Sequence, residues 1–375
     1  MTEEPETTAH RTSHRGLLRD GGGVTRRRVD AVVVPAGRPA YMLLPAMELA
    51  AELGCELVVL CSRRSSPTEA AGLAIEVPDV RWTVVELPPD YEHELVSFAT
   101  SRVDDAAVDP SSDLSLKRNI GLLLARMVGW DTVFFVDDDM RDLHPAAVRR
   151  AAGLVVRGGA AGLVPRSFPD NSIVCHANRL ATGRQDVFVT GAALAVDCAR
   201  PRSFFPRVYN EDWLFLLPAL QARRVAAAGR VRQLPYEPFE KVERARGEEF
   251  GDVLAEGLMS LLHRGCGPPD ADAGFWSAFL DERRRFLDEA RRRLSTRRHA
   301  AAIAALQALA AAEDRRRDLR PTDLDAYVRQ WQADVRIWCT RLEDVPRLGS
   351  LPKALAELGL TGATRSREDR LALTS

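Results

Sequence analysis

Three consecutive aspartates, Asp137, Asp138 and Asp139, follow directly on the apolar run VFFV at 133–136. Carboxylates this close repel one another, and the apolar run sets them beside a core. Their oxygens are hard ligands suited to Mg2+ or Mn2+, ions that commonly bridge to substrate phosphates. A divalent cation would offset the repulsion. The bland alternative is an acidic loop capping the helix expected from HPAAV, but a cap needs one acid and Asp142 can supply it.

A second acidic pair, Glu211 and Asp212, opens the apolar stretch WLFLLPAL. Acids are favoured at helix starts on dipole grounds, so Asp212 or Asn210 can serve as a cap. A carboxylate placed within reach of a hydroxyl can also act as a general base. Between the two acidic sites, NSIVCHANRLATGRQDVFVTG at 171–191 is dense in polar groups. It reads as a loop in which His176, Asn178, Arg179, Arg184, Gln185 and Asp186 could bind a polar ligand. A lone histidine is more often structural.

The elements around these residues alternate. VDAVVVPAGRP (29–39), CELVVLCSRRSS (55–66) and RWTVVELP (81–88) read as strands buried on both faces, with a helix at 41–54 closing on Gly54. The 111–130 segment predicts a helix, with Leu116, Ile120, Leu123, Leu124 and Met127 on one face. Further strands are expected at AAGLVP, DVFVTGAALAVD and GRVRQLP, and helices at HPAAVRRAAGLVV, EDWLFLLPALQAR and EEFGDVLAEGLMSLLHRG. Such βα alternation argues for an α/β fold, a mostly parallel sheet with helices on both faces.

Strand signals end at Pro268. The following segment, rich in Arg, Ala and Glu, predicts helices. In the last of them Leu324, Tyr327, Val328, Trp331, Val335, Trp338 and Leu342 form a stripe. The domain reading is a disordered tail (1–27), a catalytic domain (28–267), a helical extension (268–360) and a disordered tail (361–375). A formal net charge of −1 gives no reason to expect nucleic acid as partner. The six cysteines lack C-x-x-C spacing and read as free thiols in a reducing compartment. No apolar run is long enough for a membrane span, and no signal peptide is evident. A soluble, cytoplasmic protein is expected.

KRNIGLLLARMVGWDTVFFVDDDM resembles the identifying segment of GT-A-fold glycosyltransferases, especially family 2-like ones. Arg118, Asn119, Gly121 and Ala125 match the helix, and Asp137 with Asp139 matches the outer pair of the D-x-D motif. VTGAALAVD resembles the family's acceptor-side strand, with Gly191 and Ala192. FFPRVYNEDWLFLLPAL resembles its Glu-Asp motif, and VVVPAGRP its first strand. The resemblance spans 29–265.

It implies a GT-A (Rossmann-like) fold and a metal-dependent, hexosyltransferase-type reaction. A nucleotide-diphospho-sugar is the donor and a hydroxyl on a soluble molecule the acceptor. Mn2+ or Mg2+ would sit at Asp137 and Asp139, with His263 as a further candidate ligand. Donor contacts fall to Pro35, Ala36, Arg38, Lys117, Arg118, Asn119, Asp137 and Asp138. Sugar or acceptor contacts fall to His176, Arg179, Arg184, Gly191, Ala192 and Trp213. Asp212 is the candidate base of an inverting transfer and Glu211 its alternative. The family's Asp-rich loop after the second strand is replaced by LCSRRSSPTE, which leaves the nucleotide unspecified. A sugar nucleotidyltransferase would want a Gly-rich phosphate loop that PAGRPAY supplies poorly. A non-catalytic sugar-nucleotide-binding scaffold is the remaining alternative. The C-terminal helices offer a surface through which copies could associate.

Overall fold

The computed structural model describes residues 13–19, 24, 27–102, 112–166, 168, 172–184 and 186–365. Among these, nine strands form one sheet. They are β1 (Ala31–Ala36), β2 (Glu56–Cys61), β3 (Arg81–Glu86), β4 (Thr132–Val136), β5 (Met140–Arg141), β6 (Ala160–Arg166), β7 (Ala193–Asp197), β8 (Val225–Gln233) and β9 (Gly362–Arg365). The spatial order is β5-β8-β6-β7-β4-β1-β2-β3-β9. β3, β2, β1 and β4 are parallel neighbours, and Ala31 sits opposite both Glu56 and Val133. β7 runs antiparallel between β4 and β6, and β8 lies parallel to β6. The edges β5 and β9 are antiparallel to their neighbours.

Among the described residues there are eleven α-helices, α1 (Leu44–Leu53), α2 (Pro67–Glu76), α3 (Leu114–Val128), α4 (Pro145–Leu154), α5 (Ile173–Thr182), α6 (Glu211–Gln221), α7 (Val242–His263), α8 (Ala273–Ser295), α9 (Ala300–Asp318), α10 (Pro321–Asp344) and α11 (Leu351–Glu357), and those that meet the sheet pack on both of its faces. Alternation along each strand decides which side chain meets which layer. Val33, Val58, Val133 and Phe135 join a core with Ile120 and Leu124 of α3, Leu254 of α7 and Trp331 of α10. Their neighbours Val32, Val34, Val59 and Phe134 face Met47 of α1, Ala70 of α2 and Val148 of α4. Both faces are therefore dry, which is why these strands read as unbroken apolar runs.

The expected helix stripe in α10 is buried at Leu324, Tyr327, Val328, Trp331, Trp338 and Leu342. Among the described residues no helix is long and apolar enough to cross a membrane. All six cysteines are free.

Four expectations need correction. The polar segment at 171–191 contains α5, capped by Ser172, whose side chain accepts from the Cys175 amide, and closed by Gly183 at φ 71°. Its sparse apolar face, Ile173, Val174, Ala177 and Ala181, packs on Leu287 of α8 and Leu309 of α9. The strand expected over 186–197 is ordered as β7 only from Ala193. Residues 13–19, assigned to the tail, pack on the core: His14 is fully buried and its amide donates to the Val187 carbonyl at 2.9 Å. A strand pairs with the open edge of β3 where the C-terminal tail was expected, satisfying backbone groups that the edge would leave unpaired.

Candidate functional site

A cavity of about 560 Å³ opens where the chain leaves β1 and β4 and where α3 and α6 begin. In open α/β sheets ligands collect at the carboxyl ends of strands, and this cavity lies there. The three aspartates line it and divide between two arginines.

Asp138 turns back to β1. Its Oδ2 accepts the Gly37 and Arg38 amides, each at 2.9 Å, and its Oδ1 pairs with the Arg38 guanidinium. Arg38 also reaches Asp139 Oδ2 at 2.9 Å, and Gln233 Nε2 donates to the same oxygen at 3.3 Å. Asp137 faces the other way, with Arg118 Nη2 at 2.8 Å from its Oδ1. Its side chain is 19% exposed against 2% for Asp138. The repulsion within the triplet is thus divided between two arginines. Burial works against the Arg38 charge, but Asp139 and Asp138 outweigh it and hold the guanidinium above its ordinary range.

Arg118 projects from the first turns of α3 and is fully enclosed. It pairs with Asp137 on one side and Glu211 on the other. Burial opposes its charge, and Asp137, Glu211 and Asp212 together prevail and raise it. Arg118 faces three carboxyl groups with one positive charge, so they share a single compensating cation. Burial pushes Glu211 up to about 8, with Arg118 opposing and Asp212 adding to the rise. Asp212 is raised as well, again first by burial.

Two backbone amides aim at Asp212: Gly191 N donates to Oδ2 at 2.7 Å and Trp213 N to Oδ1 at 2.9 Å. The approach of Gly191 requires glycine. A Cβ there would lie 2.8 Å from Arg118 Nη1 and 2.9 Å from Asp212 Cβ. The Asp137 amide donates to the Ala192 carbonyl at 3.0 Å, so β4 and the turn into β7 hold the two acidic walls in register.

No protein-family model matches the sequence, and no curated protein matches it. Among the solved structures to which the chain is similar is the mannosyltransferase PcManGT from Pyrobaculum calidifontis in complex with GDP-Man and Mn2+. The two share 17% identity over 85% of this chain and 89% of that one, with a TM-score of 0.42.

The structure brings Pro35, Arg38, Lys117, Arg118, Asp137, Asp138, Asp139, Glu211, Asp212 and Trp213 to the cavity wall. Gly191 and Ala192 stand behind that wall. Lys117 is committed to the frame: its Nζ donates to the Ala36 carbonyl and Ser62 Oγ, each at 2.6 Å, and reaches Asp113 at 3.1 Å. Ala36 thus contributes its carbonyl to this anchor. Burial lowers the Lys117 ammonium, opposed by Asp113.

Other expected residues lie elsewhere. Asn119 clamps Phe205, donating to its carbonyl and accepting its amide, both at 2.8 Å. His263 bonds the Ser13 carbonyl at 2.8 Å and stands beside Gly16, away from the aspartates. It is the last residue of α7, where a basic side-chain type suits the helix dipole. His176 is buried against Phe168 and bonds the Tyr236 hydroxyl at 3.2 Å; burial, Arg179 and Arg244 lower it to about 3. Arg179 lies over the Phe168 ring, 5.9 Å from its centroid, and Arg184 is exposed past the end of α5. Gln185 falls outside the described residues.

Gln233, Tyr236 and Arg244 also line the cavity and carried no sequence expectation as site residues. Gln233 ends β8, but Arg230 and Arg232 break the apolar pattern of that strand and leave no local signal for it. Arg244 stacks over Tyr236 at 4.7 Å and pairs with Glu248 at 2.6 Å, contacts invisible in a polar helix start.

Proposed function

We propose that this chain is a glycosyltransferase that moves a sugar from a nucleotide-diphospho-sugar to an acceptor hydroxyl. The observation that carries the reading is the union, in one cavity, of two acidic walls joined by Arg118. Asp137 and Asp139 form one wall with Arg38, and Glu211 and Asp212 form the other.

The chemistry of the first wall fits a hard divalent cation. Mg2+-type ions take one or two carboxylates and complete their shell with phosphates and water. Among the described residues no three His, Cys, Asp or Glu side chains gather as a ready metal cluster, so two carboxylates plus a donor pyrophosphate is the arrangement to expect. Asp137 and Asp139 would hold the ion, which when bound supplies Lewis acidity to the leaving diphosphate. Arg38 and Arg118 add fixed positive charge for the donor phosphates.

At the second wall, Asp212 is the base. Its two amide donors fix its orientation and favour its charged form, while spare lone pairs accept the acceptor hydroxyl. The acceptor oxygen bonds the anomeric carbon, the bond to the diphosphate breaks, and the proton passes to the carboxylate. Attack opposite the leaving group inverts the centre. Glu211 accepts from Arg118 and fixes the guanidinium beside Asp212, its own carboxyl pushed up to about 8 by burial.

Calorimetry with UDP- and GDP-sugars, with and without Mn2+, followed by an assay for released nucleoside diphosphate, tests the reading. Binding that needs metal and is accompanied by release supports it. Binding without release on any acceptor points to a scaffold, and no binding of any sugar nucleotide sinks the assignment.

A further inference from the structure

Asn210, which opens α6, has φ 61° and ψ 35°. Asn is among the few non-glycine residues that enter this left-handed region readily, so the turn suits its residue type. Its side chain does not cap its own helix. Instead Nδ2 donates to Asp252 Oδ1 of α7 at 2.9 Å. The preceding residue, Gly251, lets α7 press on the same turn, since a Cβ there would overlap the Tyr209 carbonyl oxygen. Asn210, itself on the cavity wall, is therefore gripped by α7.

Asp252 is itself held. Arg283 of α8 is fully buried and donates to three α7 carboxylates. Nη2 reaches Asp252 at 3.0 Å and Glu249 at 2.7 Å, Nε reaches Glu249 at 2.9 Å, and Nη1 reaches Glu256 at 2.8 Å. Spacing of three and then four residues puts these acids on one face of α7. A buried ion cluster is a poor way to stabilise a core, because apolar packing of the same volume does as well or better. What the cluster does supply is a fixed geometry at Asp252, from which Asn210 hangs.

We infer that Arg283 is a positioning residue for the Glu211–Asp212 pair, acting through Asp252 and Asn210 on the first turn of α6. The inference rests on the proposed role of those two carboxylates. It makes α8, at the start of the helical C-terminal region, a working part of the site. Small displacements of a catalytic group are costly in rate, which is why a rigid support behind the base matters.

Asp252→Ala cuts the link to Asn210 and still leaves Arg283 with two carboxylates, so the core stays compensated. Arg283→Lys keeps the charge but loses the guanidinium fork. Amide hydrogen exchange is followed by mass spectrometry in peptides covering 209–214, with 31–36 as the control. Asp252→Ala is expected to speed exchange at 209–214 and leave 31–36 unchanged. It should also lower kcat for nucleoside diphosphate release about 100-fold, with donor KM held within about twofold. Arg283→Lys should fall between. Wild-type exchange at 209–214 in Asp252→Ala overturns the inference whether or not any donor turns over. Faster exchange with unchanged kcat overturns it too. If the wild type turns over no sugar nucleotide while Asp252→Ala loosens 209–214, the mechanical link stands and the catalytic reading of Glu211 and Asp212 falls.

Discussion

Arg118 pairs with Glu211 across the cavity while its other Nη holds Asp137, so one guanidinium on α3 ties the strand-end aspartates to the start of α6. The residue is fully enclosed, and its removal would leave three carboxylates without their shared cation. Losing one partner of a buried ion pair costs about 3–5 kcal/mol. Arg118→Met should lower the urea midpoint accordingly. Arg118→Lys should recover part of the stability and little of the turnover, because an ammonium cannot serve both walls with a planar fork. A Met variant with the wild-type midpoint would show that the pairs contribute nothing.

Asp138 and Asp139 should separate by function although they are adjacent. Asp138 caps the Gly37 and Arg38 amides, so Asp138→Ala should loosen the turn after β1 and weaken donor binding with and without metal. Asp139→Ala should abolish the Mn2+ response of donor binding and release. Titrations of Mn2+ on both variants check this, and an unchanged response in Asp139→Ala would rule out the metal assignment.

Gly191→Ala puts a methyl group against Arg118 and Asp212. Overpacking of this kind typically costs about 1–3 kcal/mol, and here it also displaces the amide that donates to Asp212. The expected result is a modest drop in thermal stability with a disproportionate loss of kcat. A variant that loses stability and turnover in proportion would mean that Gly191 serves packing alone.

The parallel half of the sheet was legible because its strands are buried on both faces and its helices carry plain apolar periodicity. The aspartates were legible for a related reason: charge directly after an apolar strand is locally costly and marks itself. What escaped was tertiary. Nothing near Asn119 says that it clamps Phe205, and nothing near His263 says that its partner is Ser13, 250 residues away. α5 was hidden because it faces helices with small side chains and carries its polar groups in mid-helix. The split among Asp137, Asp138 and Asp139 depends on Arg38 and Arg118, one from the turn after β1 and one from α3, and no local spacing encodes that.

His263→Gln should leave the Mn2+ dependence of donor binding at the wild-type value. The side chain bonds the Ser13 carbonyl and packs near Gly16, so its loss should instead loosen residues 13–19. Proteolytic sensitivity of that segment and a Mn2+ titration give the two readouts. A shifted Mn2+ titration would return His263 to the ligand set.

The acids around Arg283 set a dependence of stability on pH. Burial pushes Glu249 and Asp252 up to about 7, against the opposing pull of Arg283. The folded chain therefore keeps protons at pH values where the unfolded chain has released them. That contribution is complete below the ordinary carboxyl range and is lost as pH rises through about 7. For Glu249, whose ordinary value is 4.5, the loss is on the order of 3 kcal/mol. Glu249→Gln cannot titrate and keeps one acceptor for Arg283. Relative to this variant, the wild type should lose stability steadily between pH 5 and pH 8, approximate bounds set by the two titration ranges. Urea melts across that window measure the difference. A wild type that gains on the variant as pH rises would mean that Arg283 holds Glu249 ionised throughout, and that the cluster is a balanced ion pair carrying no retained proton.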